Sequence, residues 1–318
     1  MLELYFFNVG HGDSIAIHFP KDKWGVIDCN YDASIPQPQV LTFLQNKNVE
    51  NLEFLCITHP HDDHYNGCEK IVDKINIEKL FLSGMFHEQE EFLNDSLGYA
   101  INAFCDKYNY RKLYKRKINF PLRTESIKIS GVKIKFLNPK ASISDFLRLD
   151  KLRKNDLAYN SVSIVFLLEY KNIKILLNSD STKECWNEIL EQYTDDLSSD
   201  IIKISHHGSR TDNTDDIMNA IIKNKAVAII STDGGKRYKS LPSQEVIKFL
   251  RENLNSKVLL TSSLNNTETN TNVFSDKLIE AGLDCSFDKV HQTPKYDGYL
   301  QIIINDEGKI SENIRHHI

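Results

Sequence analysis

Long apolar runs are missing from this 318-residue chain. None approaches the ~20 residues needed to span a bilayer, so no membrane segment is expected. The opening residues, Met1 to Asn8, lack the basic stretch that begins a secretory signal. Their apolar run leads straight into a glycine turn and reads as a β-strand. The six cysteines, Cys29, Cys56, Cys68, Cys105, Cys185 and Cys285, include no C-x-x-C pair and suggest no disulfide framework. Reduced, mostly buried thiols in a cytoplasmic protein are the expectation. Positive charge is not in excess either: 39 Lys and Arg face 44 Asp and Glu, a formal net charge of −5. The whole-chain balance therefore gives no support for nucleic-acid binding, which must rest on local patches. No short-period repeat and no linker-like segment divides the chain, and residues 1–318 are read as one domain. At 41% hydrophobic and 26% charged residues, the composition is that of an ordinary globular protein.

What is present is a regular alternation. Leu4 to Val9, Ser14 to Phe19 and Trp24 to Asp28 are short apolar runs divided by Gly10-His11-Gly12-Asp13 and by Pro20, which predicts strands joined by tight turns. A helix is expected over Pro38 to Gln45, a buried strand over Leu52 to Thr58, a helix over Cys68 to Lys74 and a strand over Ile77 to Leu82. Met85 to Lys117 reads as a helical insertion, and Asn265 to Asn272 as a loop. A second hairpin series starts at Ser126. It is followed by strands at Ser161 to Tyr170, Ile173 to Asn178, Ile201 to Ser205, Ala226 to Ser231 and Lys257 to Thr261. Helices are expected between them over Lys183 to Gln192, Asp215 to Lys223 and Ser243 to Asn253, and Tyr299 to Ile304 closes the sheet. Strands alternating with helices indicate an α/β arrangement. The two halves look alike: hairpins, then a strand ending on metal-type residues, then a helix.

The chemistry concentrates at strand ends. His59-x-His61-x-Asp63-His64 follows an apolar strand and precedes a helix, so several side chains aim into one space. Two imidazoles two residues apart can bind one metal, and an acid with a third imidazole just beyond can bind a second, roughly 3.5–4 Å away. Asp180 ends another strand, where an acid can bridge two metals or cap the helix that follows. His206-His207-Gly208-Ser209 follows a third strand. One histidine can ligate while its neighbour, leaving the strand to the other side, meets an anionic group of the substrate.

These segments together (Phe7–Ser14, Val26–Asp28, Thr58–Gly67, Asn160–Ser163, Asn178–Asp180 and Ser205–Ser209) resemble the metallo-β-lactamase superfamily, and within it the branch that includes the hydrolase domain of ComEC-type competence proteins. The resemblance implies an αββα sandwich with a two-metal site at one edge, holding zinc or manganese. It implies His59, His61, Asp63, His64, Asp180 and one of the His206–His207 pair as metal ligands, with the other on the substrate side; we take His207 as the ligand and His206 as the substrate-side group. Asp63 and Asp180 would orient the nucleophile, a hydroxide activated by two metals. Asp28 would hydrogen-bond a ligand histidine, and Asp13 would either do the same or stabilise the Gly10–Gly12 turn. Two positions depart from the pattern. Asn160 stands where many members carry a further ligand histidine, the nearest histidine being His87 in the insertion. Leu241-Pro242 stands where the branch has His-Pro, which leaves the substrate more open than the metal site.

The branch favours phosphodiesters. So does the basic run Arg111 to Lys117, with Tyr108, Tyr110 and Tyr114; this run and a second, Arg148, Lys151, Arg153 and Lys154, also read as solvated helix faces. Their cations can meet phosphates, and the aromatics can stack on bases. A DNA or RNA phosphodiesterase is therefore expected. The alternatives are a small-molecule phosphoester or lactone hydrolase, and a metal-binding sensor module without turnover.

Overall fold

The computed structural model describes residues 1–83, 118–119, 121–140, 157–193, 196–262 and 298–315. The insertion expected at 85–117, both basic runs and the loop expected at 265–272 lie outside the described residues. Among the described residues, seventeen strands form two large sheets and one small one. The first sheet runs β17(Ile310–Arg315), β16(Tyr299–Ile304), β1(Leu2–Phe7), β2(Ser14–Phe19), β3(Lys23–Cys29), β5(Phe54–Ile57), β7(Leu80–Leu82), β8(Ile118–Asn119). The second runs β15(Lys257–Leu260), β14(Ile222–Ile230), β13(Ser199–Lys203), β12(Ile173–Leu177), β11(Val165–Tyr170), β10(Val132–Asn138), β9(Ser126–Ile129). β4(Asn51–Leu52) and β6(Asn76–Ile77) pair beside them.

β1 shows why the chain stacks in layers. All six of its residues are buried, so it must be covered on both faces. Successive side chains alternate between faces. Leu2, Leu4 and Phe6 point into the core between the sheets, where they join Phe136, Phe166, Ile201 and Ile229. Tyr5 and Phe7 point outward into a second core with Val40, Leu41 and Phe43 of α1(Gln39–Asn46), and with Ile71 and Val72 of α3(Cys68–Lys74). A third core covers the far face of the other sheet. There Trp186 and Ile189 of α4(Lys183–Gln192), Met218 of α5(Asp215–Ile221) and Leu250 of α6(Gln244–Glu252) pack on Leu176, Ile202 and Ala228. Helix, sheet, sheet, helix is the αββα sandwich expected from the sequence.

The two halves repeat one plan. In each, antiparallel hairpins (β1, β2 and β3; β9 to β12) give way to parallel strands (β3, β5 and β7; β12 to β15). The carboxyl ends of parallel strands are where open α/β sheets place their ligands. The candidate residues follow the ends of β3, β5, β12 and β13.

Three expectations need correction. The run Leu52 to Thr58 is two strands, because Leu52 pairs with Ile77 whereas Phe54 to Ile57 join the large sheet. The helix expected to reach Lys223 stops at Ile221, since Ile222 already pairs with Ser199. The strand expected from Ser161 begins at Val165. Cys29, Cys56, Cys68 and Cys185 are buried and free, and Cys105 and Cys285 lie outside the described residues. Among the described residues, no helix is long and apolar enough to cross a membrane.

Candidate metal centre

The site begins where β3 ends. Asp28 has φ 54°, a left-handed conformation that turns its carboxylate back under the sheet edge. There it accepts from the Thr58 backbone N–H and hydroxyl, both at 2.8 Å, and from His64 Nδ1 at 2.8 Å. A ligand histidine held at Nδ1 by a carboxylate presents Nε2 in a fixed direction. His64 lies in the one-turn helix α2(Asp62–Tyr65), directly after His61. His59, just past β5, has Nδ1 against Thr58 Oγ1 at 3.1 Å, while its Nε2 lies 3.0 Å from His61 Nδ1.

From the second sheet come Asp180, past β12, and His207, past β13. Asp180 Oδ2 stands 3.4 Å from His64 Nε2 and 3.4 Å from His207 Nε2. Asp63 Oδ2 stands 3.7 Å from His207 Nε2 and 4.0 Å from His64 Nε2. A cation binding donors at about 2.1 Å in a tetrahedron separates them by about 3.4 Å, so these neighbouring pairs are spaced as donors that share cations. His64 Nε2 and His207 Nε2 are buried without hydrogen-bond partners. Buried polar atoms are rarely left that way, and a divalent cation would satisfy them. The residues fit the metals expected, with a mixed imidazole and carboxylate donor set suited to zinc, iron or manganese. The ligand atoms of His59, His64 and Asp180 form one close group, and those of His11, Asp63 and His207 another. His64 thus stands nearer His59 than a division into His59–His61 and Asp63–His64 supposes.

Charge is densely packed here. Burial pushes the His207 imidazole down, but Asp180 and Asp63 outweigh it and raise its pKa to about 9. Burial also pulls His64 down, and Asp180, Asp28 and Asp63 carry it well above the usual histidine range. Cations and protons compete for such atoms.

The His206–His207 pair does not divide by strand alternation, as the sequence reading supposed. β13 ends at Lys203, and His206, His207 and Gly208 all have positive φ, at 45°, 52° and 81°. This left-handed turn sends His207 inward, with Nδ1 3.2 Å from the Ser231 carbonyl. His206 turns the other way, with Nδ1 2.7 Å from Asp212 Oδ2 and Nε2 3.4 Å from Asn160 Nδ2. Only glycine suits position 208, since a Cβ there would lie 2.8 Å from Pro242 Cβ. Histidines and aspartates from the ends of β3, β5, β12 and β13, two strands from each sheet of an αββα sandwich, converge on one coordination space.

This is the αββα arrangement that the resemblance to the metallo-β-lactamase superfamily implies. No family model matches the chain. It is similar to ComE operon protein 3 of Bacillus subtilis (strain 168), 22% identical over 269 residues, a match covering 78% of this chain and 30% of that protein. The chain thus spans less than a third of the curated relative it matches. Among solved structures it is similar to Tm1679, a metal-dependent hydrolase of the beta-lactamase superfamily (11% identical, 85% of this chain and 99% of that one, TM-score 0.46). It is also similar to a diphosphatase from the PhnP family (13%, 85% and 98%, TM-score 0.42). A third is CmlA, a diiron beta-hydroxylase from Streptomyces venezuelae (12%, 89% and 51%, TM-score 0.41).

On this fold, three residues that the sequence reading passed over join the site. His11 brings Nε2 to 3.4 Å from Asp63 Oδ2. Burial, then His207, pulls its imidazole down to about 3. Lys203 is fully buried, with Nζ 2.5 Å from Asp13 Oδ2, 3.1 Å from the Ser179 carbonyl and 3.7 Å from Asp180 Oδ1. Asp13 therefore does more than stabilise its turn, because it holds the cation that faces Asp180 from behind. Burial pushes the Asp13 carboxyl up, and Lys203 with His64 overrides it and leaves it lowered. Asp212, the third, also accepts from the Ser209 hydroxyl at 2.9 Å. A lysine inside the apolar run Ile201 to Ile204 was a visible signal, whereas His11 and Asp212 carried none.

Proposed function

We propose that the chain is one metal-dependent hydrolase domain that cleaves phosphodiester bonds in DNA or RNA in the cytoplasm, using zinc or manganese. The observation that carries the reading is the 3.4–4.0 Å spacing of Asp63, His64, Asp180 and His207. Divalent cations held there would lower the pKa of water and offset charge on phosphoryl oxygens. Asp63 and Asp180 orient the attacking water. His206, its Nδ1 held by Asp212, offers Nε2 to protonate the leaving oxygen. Beside Asp63 lies a cavity of 420 Å³ whose lining includes His11, Tyr31, Lys236 and Arg237. Those two cations suit the flanking phosphates of a substrate.

Asp32 and Asp62 line the same cavity. Fixed negative charge there disfavours a long polyanion and supports a second reading, a small-molecule phosphoester hydrolase. A panel of bis-p-nitrophenyl phosphate, single-stranded DNA, duplex DNA and RNA, each with Mn²⁺ or Zn²⁺, separates them. Chelator-sensitive cleavage of a polymer is expected. Turnover of the small ester alone would move the assignment to the second reading, and a metal-loaded protein with no turnover would leave a sensor module.

The histidine pair gives a further prediction. His207→Ala is expected to lower metal content. His206→Ala is expected to keep the metals and slow turnover about 10²–10⁴-fold, the usual contribution of a general acid. Metal analysis and rates on both variants decide it, and equal metal loss in the two would remove the division of roles.

A further inference from the structure

The Gly10–Asp13 turn is built more tightly than a hairpin between β1 and β2 requires. Gly10 and Gly12 both have positive φ, at 78° and 105°, on either side of His11. A Cβ on Gly12 would lie 2.1 Å from the Asp63 carbonyl oxygen, so only glycine lets the two segments approach. The Asp13 N–H donates to that same carbonyl at 3.1 Å, and Asn30 Nδ2 donates to the His11 carbonyl at 2.6 Å. The turn is thus fastened to the one-turn helix that carries Asp63.

What this fastening delivers is one imidazole. The His11 ring sits between the His207 ring, 4.2 Å away between centroids, and the Tyr238 ring, 4.8 Å away. The ligand atoms of His11, Asp63 and His207 lie within 4.8 Å of one another, and His11 Nε2 is nearer Asp63 Oδ2, at 3.4 Å, than His207 Nε2 is, at 3.7 Å. Donors that share a cation stand about this far apart. An imidazole also adds a donor to this acid-rich site without adding negative charge.

We propose that His11 is a ligand of the metal ion held by Asp63 and His207, completing that ion's shell at the floor of the cavity. The inference rests on the metal centre proposed above but not on its substrate.

The test is metal binding. Chelator-stripped wild type, His11→Ala and His11→Gln are titrated with Zn²⁺ against a chromophoric competitor, and each is loaded with Co²⁺ for visible absorption. Wild type is expected to take up two equivalents. Even residues behind a metal ligand change affinity 10–100-fold, so in both variants one equivalent is expected to weaken by about 100-fold or more, with a changed Co²⁺ spectrum. Circular dichroism accompanies each protein, and the glutamine variant, which keeps length and polarity, decides if the alanine variant unfolds. Two equivalents of wild-type affinity and an unchanged spectrum in the variants overturn the proposal, and so does a wild type that takes up no second ion. A wild type with a His11-dependent second ion and no phosphodiesterase activity supports it while removing the substrate reading.

Discussion

Asp180→Ala is expected to reduce hydrolysis by about 10³-fold or more, because loss of metal-assisted stabilisation costs several kcal/mol of barrier. Asp180 is the only carboxylate that the described residues place equally close, at 3.4 Å, to His64 Nε2 and His207 Nε2. Removing it takes away the group that joins the two sheets' contributions to the site. Metal content should fall with the rate. The measurements are turnover of a chromogenic phosphodiester and elemental analysis of the same preparation. Near-wild-type turnover in a folded Asp180→Ala protein would take Asp180 out of the chemistry. Asp63→Ala makes a useful companion. Its carboxylate reaches His11, His207 and His64 but is less enclosed than Asp180, so a comparable loss of rate with partial metal retention is expected.

The second large effect is on stability. Lys203 and Asp13 are an ion pair with side chains 0% and 1% exposed. Such a pair is not strongly stabilising compared with apolar residues of the same size, but breaking it strands a charge in the interior and costs about 3–5 kcal/mol. Lys203→Met keeps the volume and removes the cation, leaving Asp13 and the rear oxygen of Asp180 without it. A loss of about 3–5 kcal/mol is expected in urea unfolding with chelator present. Asp13→Asn combined with Lys203→Met should recover much of that loss, since no ionised partner is then left behind. A single Lys203→Met variant within 1 kcal/mol of wild type, well below the ~3 expected of a broken buried pair, would show that the pair does not bear on stability.

Local signals in the chain were legible, and pairings at a distance were not. The helix over Lys183 to Gln192 was readable to the residue because its cues are contiguous. Thr182 caps it by accepting from the Cys185 N–H, and Cys185, Trp186 and Ile189 repeat at helical spacing. The break at Glu53 was hidden, because it depends on which distant strand each neighbour joins. β17 was missed for another reason: its residues are largely polar and it forms the outer edge of its sheet, so no apolar alternation marked it. The same division runs through the site. His59 to His64 could be read because six consecutive residues carry most of the donors. His11 sits about fifty positions from Asp63 and reads as one residue of a glycine turn. Only the fold brings Lys203 beneath Asp180 and sets Asp212 behind His206.

Asp28, Ser179, His206 and His207 share an awkward backbone, each with φ between 45° and 54°. Non-glycine residues held this way cost on the order of 1–3 kcal/mol apiece, and here all four lie where a strand hands over to the site. Glycine at any of them would relax the chain, yet it would also remove the carboxylate under His64, the hydroxyl beside Thr58 or one of the paired imidazoles. Natural proteins commonly forgo stability at such positions. The strain is thus tied to the very groups the site uses, and relieving it would exchange activity for whatever stability was gained.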